Sequence, residues 1–205
     1  MKMLQARNHW KFNFNKVTVI DNFFTPQCLD ILKYRVLYAK HFDTNYKTYQ
    51  AIDYRGNQDY ITNLIVKELK NKLDILPLFQ RAWSFVYTTD SPGVPLHADP
   101  SKFNINIWVS NNESVKDKFS NGLKIYKISP PSDWKRKDWN APKNTGQMKQ
   151  YIDSHNIQPT LIEYKSNRAV IFDGTYFHQT HFVSMKAGVE NRRVSYTMLF
   201  GLGLN

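Results

Sequence analysis

Cysteine is nearly absent: Cys28 is the single one in 205 residues. That excludes an intramolecular disulfide framework and any cysteine-rich zinc site. Long apolar runs are absent too, and nothing approaches the roughly 20 consecutive apolar residues that span a bilayer. The start of the chain lacks a charged-then-apolar leader pattern, since Met3-Leu4 is soon followed by Gln5, Arg7 and Asn8. These absences lead us to expect a soluble, cytoplasmic protein with no membrane association. Acids are scarce, with 17 Asp+Glu against 28 Lys+Arg and a net charge of +11. The excess permits a nucleic acid or another polyanion as partner. It is spread out, however, over Lys2, Arg7, Lys11 and Lys16 and then over 116–149, including Lys135-Arg136-Lys137. No basic-aromatic recognition motif accompanies it, and a solvated cationic surface explains it equally well.

What is present is aromatic and apolar substance, 15% and 41% of residues. That is enough to bury one sizeable core, so the chain reads as a single domain over 1–205. A short strand is expected at 17–20. Thr25-Pro26 then supplies an N-cap and a first helical residue, and Cys28, Leu29, Ile31, Leu32, Val36 and Leu37 continue at helical spacing. A second helix fits 60–73. From Trp83 onward short strands and turns take over: 83–88, 103–109, 123–128, 160–164, 169–172 and 194–199. A short helix fits 147–155 and an ordered loop 130–144. In 103–109 the alternation is strict, with Asn104, Asn106 and Trp108 on one face and Phe103, Ile105, Ile107 and Val109 on the other. This texture predicts a mainly β sandwich or barrel with the two N-terminal helices packed outside it. Segments 43–60, 110–121 and 130–146 are expected as loops around a mouth, the second of them polar and mobile.

Among six histidines, one forms a compact pair with an acid, His97-Ala98-Asp99. Residues at i and i+2 on extended backbone point the same way, so imidazole and carboxylate can meet one ion. Composition alone yields such a pair about half the time, so the pair needs its context. It follows a strand and a Pro-Gly turn. Far downstream, His178 comes just after the apolar strand at 169–172, and Arg193-Val194-Ser195 opens the last strand. Two histidines, one carboxylate and open positions suit non-haem Fe(II). A planar guanidinium nearby suits a dicarboxylate held by two parallel hydrogen bonds, with Ser195 on the same strand face. Arg192 competes with Arg193, but alternation groups Arg193 with Ser195 and Thr197. His181 competes with His178 and falls on the opposite strand face. Asn104 and Asn106 would be costly in a dry core, so a polar pocket accounts for them better. Trp83, Trp134 and Trp139 read as packing residues, and Asp173 as a turn residue.

The order His-x-Asp, distant His, Arg-x-Ser resembles the Fe(II)- and 2-oxoglutarate-dependent oxygenases. Further stretches extend the likeness: Asn104-Ile-Asn106-Ile-Trp108, Gly122-Leu123-x-x-Tyr126, Pro130-Pro131-x-Asp133-Trp134, Asn140, 167–173, Phe177-His178-x-Thr180 and Arg192-Arg193 through Gly201. Together they resemble a largely uncharacterised subgroup related to the prolyl-hydroxylase-like enzymes, strongly so from about 83 to 202. Val19–Phe24 followed by a helix is similar to that family's opening. Two positions depart from the pattern: Asn121 stands where a glycine is usual, and His181 where an acid is common.

The resemblance implies a double-stranded β-helix (jelly-roll, cupin-like) core over 80–202, supported by 16–75. It implies iron on His97, Asp99 and His178, and 2-oxoglutarate with its far carboxylate on Arg193 and Ser195. Asn104, Asn106 and Tyr87 join as further co-substrate residues, Tyr87 being equally readable as a core aromatic. Dioxygen is the other co-substrate, and ascorbate a possible reductant. The retained Asp99 points to hydroxylation, because related halogenases replace that carboxylate. Substrate oxidation would be coupled to conversion of 2-oxoglutarate to succinate and CO2. The substrate would be a peptidyl side chain such as proline, or a small molecule. Two other classes stay open from the sequence: a non-catalytic jelly-roll binding protein and a basic nucleic-acid-associated module.

Overall fold

The computed structural model describes residues 2–5, 16–55, 59–73, 78–88, 90–117 and 120–202. Arg7 and Lys11 of the N-terminal basic run lie outside them. After β1 (Thr18–Ile20), the first helix forms as its capping signal predicts: Thr25 accepts a hydrogen bond from the Cys28 N–H at 3.2 Å and Pro26 opens α1 (Pro26–Leu37). Asp59 caps α2 (Tyr60–Lys70) the same way, through the Thr62 N–H at 2.7 Å, and Arg35 of α1 reaches the same carboxylate. The two helices are thus joined at one capping residue.

Between them, 43–60 is not the expected loop. It holds β2 (Thr44–Asn45) and β3 (Tyr49–Arg55), which form an antiparallel pair. The remaining strands are β4 (Phe79–Tyr87), β5 (Ser101–Trp108), β6 (Leu123–Tyr126), β7 (Thr160–Ile162), β8 (Ala169–Phe172), β9 (Phe177–Thr180) and β10 (Arg193–Leu202). They build a seven-stranded sheet in the order β1-β8-β5-β10-β4-β3-β2 and a three-stranded sheet β7-β6-β9. All pairings are antiparallel. The architecture is the expected mainly β jelly-roll with helices outside it. Segment 130–144 contains a short α3 (Arg136–Trp139) and a 3-10 turn at Pro142–Asn144, followed by α4 (Thr145–Ser154).

Alternation decides what each sheet face does. Phe103, Ile105 and Ile107 of β5 join Val194, Tyr196 and Met198 of β10 against Leu32 and Val36 of α1 and Ile65 and Leu69 of α2. This is the dry face. Trp108 turns the other way and packs with Leu123, Ile125, Val170 and Phe172 between the two sheets. A third cluster, with Leu96, Ala98, Trp139, Met148, Ile152 and Phe177, backs the segment that carries His97 and Asp99. Trp134 packs against Tyr151 at a tilt and against Phe177 edge-on at its margin, so Trp134 and Trp139 are packing residues as read. No helix among the described residues is long and apolar enough to cross a membrane.

Segment 110–121 is polar but tied down at its described ends. Ser110, Ser114, Ser120 and Asn121 are buried. Asn121 bonds the 184 backbone from both ends of its amide, at 2.9 and 3.0 Å. Its φ of 66° lies in the left-handed region, which asparagine tolerates better than most residues. That explains why asparagine can stand where the resembling family has glycine. The next residue has no such freedom: a Cβ on Gly122 would lie 2.1 Å from the Ile162 carbonyl.

Candidate metal centre and co-substrate pocket

His97 lies in the segment between β4 and β5, and His178 in β9. An isolated antiparallel bridge joins them, with backbone N–H to O distances of 3.0 and 2.8 Å in the two directions. The bridge brings the rings to 4.2 Å between centroids. Each Nδ1 lies 2.8 Å from the carbonyl two residues upstream, Pro95 for His97 and Tyr176 for His178. A carbonyl only accepts, so each Nδ1 donates, and each Nε2 is left to bind an ion. Asp99 completes the set, its oxygens 3.8 Å from His97 Nε2 and 3.4 Å from His178 Nε2. All three donor groups lie within 4.8 Å of one another and could hold a metal ion. His181 stays outside this group.

The electrostatics suit a cation. Burial, and then the neighbouring His178, push His97 down to about 4, so it is a neutral donor at pH 7. Burial pushes the Asp99 carboxyl up, but its polar neighbours outweigh this and keep it low, the Asn104 amide among them as a donor, so the group is a carboxylate at pH 7. Asn104 does not line the cavity. It stands fully buried behind Asp99, donating from Nδ2 to Oδ2 at 2.7 Å while its Oδ1 accepts from Ser101 at 2.5 Å. Gly174 makes room for this chain, since a Cβ there would sit 2.0 Å from Ser101 Oγ and 2.9 Å from Asn104 Oδ1.

Register then places the pocket beside the triad. On β10, Arg193 pairs with Tyr87, Ser195 with Phe85 and Trp108, and Thr197 with Trp83 and Asn106. Three adjacent strands therefore present one contiguous set of side chains to a cavity of about 60 Å³ that His97, Asp99 and His178 also line. That exceeds what a single water needs. Thr197 donates to Asn106 Oδ1, which fixes the amide at the cavity wall.

Arg193 is the unusual member. It is 2% exposed, its Nε donates to the Asn121 carbonyl at 3.1 Å, and its guanidinium lies 4.8 Å from the centre of the Tyr87 ring. Nη1 is buried with no hydrogen-bond partner, and no carboxylate pairs with the guanidinium among the described residues. Burial pushes its pKa down, yet a guanidinium stays charged at any ordinary pH. A buried, unpaired cation is costly, and an anionic guest would relieve it. Arg192, by contrast, faces a separate surface cleft.

His97 and Asp99 also border a larger cleft of about 490 Å³. Its walls come from the β2–β4 region, from 94–100 and from 136–142, with Leu199 of β10, whereas none of its described lining residues comes from 110–121. Trp83, expected as packing, is half-buried and lines both cavities. Sequence reading also missed Tyr49 and Asp53, because β3 was not recognised, and Arg81, because β4 starts at Phe79 and not at the expected 83. Asp173 is the turn residue expected, accepting from the Thr175 N–H at 2.9 Å.

No protein-family model and no curated protein matched the sequence. Solved structures do resemble it. A 2OG-Fe(II) oxygenase family oxidoreductase from Burkholderia pseudomallei covers 98% of this chain and 98% of its own, at 10% identity and TM-score 0.56. HygX from Streptomyces hygroscopicus, with nickel and 2-oxoglutarate bound, covers 91% and 82% at 10% identity and TM-score 0.57. A Pseudomonas putida prolyl-4-hydroxylase covers 91% and 87% at 12% identity and TM-score 0.52. This chain therefore has the fold of the 2OG-Fe(II) oxygenase structures.

Proposed function

We infer that the protein is a non-haem Fe(II)- and 2-oxoglutarate-dependent dioxygenase that hydroxylates an organic substrate, with 80–202 as the catalytic unit on the support of 16–75. The single observation that carries this is the buried, unpaired Arg193 guanidinium in the same small cavity as a two-histidine, one-carboxylate cluster. The donor set fits Fe(II): two imidazole Nε2 atoms kept unprotonated by Nδ1–H bonds, and one ionised carboxylate. When bound, the iron supplies the chemistry of dioxygen activation. In the balanced reaction a substrate C–H becomes C–OH with one oxygen atom of dioxygen. The other atom enters the succinate formed as 2-oxoglutarate loses CO2.

The chain's own residues do the positioning. Pro95 and Tyr176 carbonyls hold the imidazole protons on Nδ1. Asn104 engages one oxygen of Asp99 and so turns the carboxylate. Arg193 offers its free Nη1 to the far carboxylate of 2-oxoglutarate, with the Ser195 hydroxyl on the same face and the Tyr87 ring against the guanidinium. Asn106, held by Thr197, would offer its amide to 2-oxoglutarate in the same cavity. The test is anaerobic titration of Fe(II) and 2-oxoglutarate. A weak visible charge-transfer band that needs both components is expected, and Asp99→Ala should abolish it. Folded, iron-loaded protein without the band would reject the reading. Coupled succinate release across a substrate screen separates turnover from mere binding.

A further inference from the structure

The 490 Å³ cleft in front of His97 and Asp99 lies within the size range of small-molecule sites. Its β-sheet wall is a run of aromatic rings. Tyr46 stacks on Tyr49 at 4.3 Å, Tyr49 meets Phe85 edge-on at 5.7 Å, and Phe85 meets Trp83 at 6.0 Å. Trp83 has a cationic neighbour against its ring. The Arg81 guanidinium lies 4.7 Å from the centre of its ring and is itself fixed by two hydrogen bonds to Asp53. Pro95, Leu96 and Pro142 line the same cleft. An apolar ring therefore finds aromatic and aliphatic surface close to the metal ligands.

The charges that line the cleft are Asp53, Arg81, His97, Asp99 and Arg136. His97 and Asp99 belong to the metal cluster. Asp53 and Arg81 neutralise one another. What is left is Arg136, which is exposed and has no ion pair or hydrogen-bonded side-chain partner among the described residues. Its neighbours strengthen its sign: Lys135, Lys137 and Lys143 are exposed, while the Asp138 carboxylate is engaged by the Lys135 N–H at 2.8 Å. The basic run at 135–137 thus becomes one lip of the cleft. Among the described residues no carboxylate in the cleft is free to receive a cation, and the +11 net charge opposes one as well.

Resting on the oxygenase reading above, we propose that the substrate is a small ring-bearing organic acid. Its ring lies against Trp83 and Phe85, and its acid group pairs with Arg136 at the lip. Basic substrates are excluded by the same charges.

The test uses matched probes that share a ring and differ in sign, indole-3-acetate and tryptamine. Both are titrated calorimetrically into protein loaded with Zn(II) and saturating 2-oxoglutarate, so that nothing turns over and the acid probe is kept off Arg193. Uptake of Zn(II) and 2-oxoglutarate is measured first. Failure there rejects the oxygenase reading, whereas failure at the next step rejects the substrate class alone. Indole-3-acetate should bind at least about tenfold more tightly than tryptamine, the scale of one charge-assisted contact. Arg136→Gln, an exposed substitution, should erase that preference, and Trp83→Ala should weaken both probes. Equal or tighter binding of tryptamine, an acid preference that survives Arg136→Gln, or no binding of either probe would overturn the proposal. So would displacement of indole-3-acetate by a thymidine oligonucleotide, which would make the lip a polyanion surface instead.

Discussion

Along β10, Val194, Tyr196 and Met198 point into the cluster under α1 and α2, while Arg193, Ser195 and Thr197 point into the cavity between the sheets. On the helix side these side chains are fully buried, and the polar tips there are paired, the Tyr196 hydroxyl with Thr62 Oγ1 at 2.5 Å and the Tyr54 hydroxyl with Ser84 Oγ at 3.2 Å. On the cavity side a guanidinium is buried with a donor unused. One strand thus serves two ends by period-two alternation. Its odd-numbered side chains keep an unsatisfied site, and its even-numbered ones supply the packing that holds the site in place.

Two substitutions of similar energetic size should separate the faces. Ile105→Ala, fully buried on the helix side of β5, should lower unfolding free energy by about 2–5 kcal/mol. Metal and 2-oxoglutarate affinity of the folded protein should stay within about twofold. Arg193→Met should do the reverse. Affinity for 2-oxoglutarate should fall by about 2–5 kcal/mol, while the unliganded protein becomes more stable by about 1–4 kcal/mol, because a buried unpaired charge is gone. Urea unfolding and calorimetry on the same samples check both. If Arg193→Met destabilised the unliganded protein, the guanidinium would be structural and the division between the faces would fail.

The faces differed in how well they could be read beforehand. The dry face was legible because it needs apolar side chains at strict alternation, and Phe103, Ile105 and Ile107 supply it. The Thr25-Pro26 cap was legible for a local reason, since side chain and backbone meet within one turn. The metal cluster was legible because few residue types can do its chemistry, so His97, Asp99 and His178 stood out by type and order. The cleft wall was not. β3 runs Tyr-Gln-Ala-Ile-Asp-Tyr-Arg, and its cleft side carries Tyr49 and Asp53 where a half-buried strand usually shows β-branched residues. Trp83 failed for the opposite reason: a tryptophan defaults to packing, and only register with Thr197 reveals that it faces the cavity. β9 is four residues long and interrupted in pattern by its own ligand, His178. Functional demands overwrote the periodic signal at each of these places.

Asn104 sharpens the comparison within β5. It shares the cavity-facing parity of Asn106, yet it touches Asp99 and not the cavity. Asn104→Ala should weaken metal binding by about 10–100-fold, the usual scale for a residue that orients a ligand. The 2-oxoglutarate affinity of protein saturated with metal should change far less. A residue binding 2-oxoglutarate directly would give the opposite split. Competition with a chromogenic chelator measures the first quantity and calorimetry the second.

The smallest effect is expected away from both faces, at the corner where Asp21 joins the start of β8. Its carboxylate accepts from Arg168 Nε at 2.6 Å and from Lys165 Nζ at 2.7 Å, with its side chain one third exposed. The hydrogen bond from Arg168 pulls its pKa down to about 2, against an opposing effect of burial, with Lys165 adding to the pull. A depressed carboxylate pKa means that the folded state holds fewer protons than the unfolded one as acid is added. The contribution is therefore complete above the unfolded value of about 4 and disappears as pH falls through about 2. Exposure and salt screening keep it below about 1 kcal/mol. Asp21→Asn should accordingly lower the urea midpoint slightly at pH 6, and the gap from the parent protein should close on acidification or in high salt. A gap that persisted under either condition would mean that this corner stabilises through packing, as the helix-covered face does, and not through charge. The contrast with Arg193 would then hold for burial alone: an exposed ion pair contributes little, whereas a buried charge without a partner dominates the pocket that contains it.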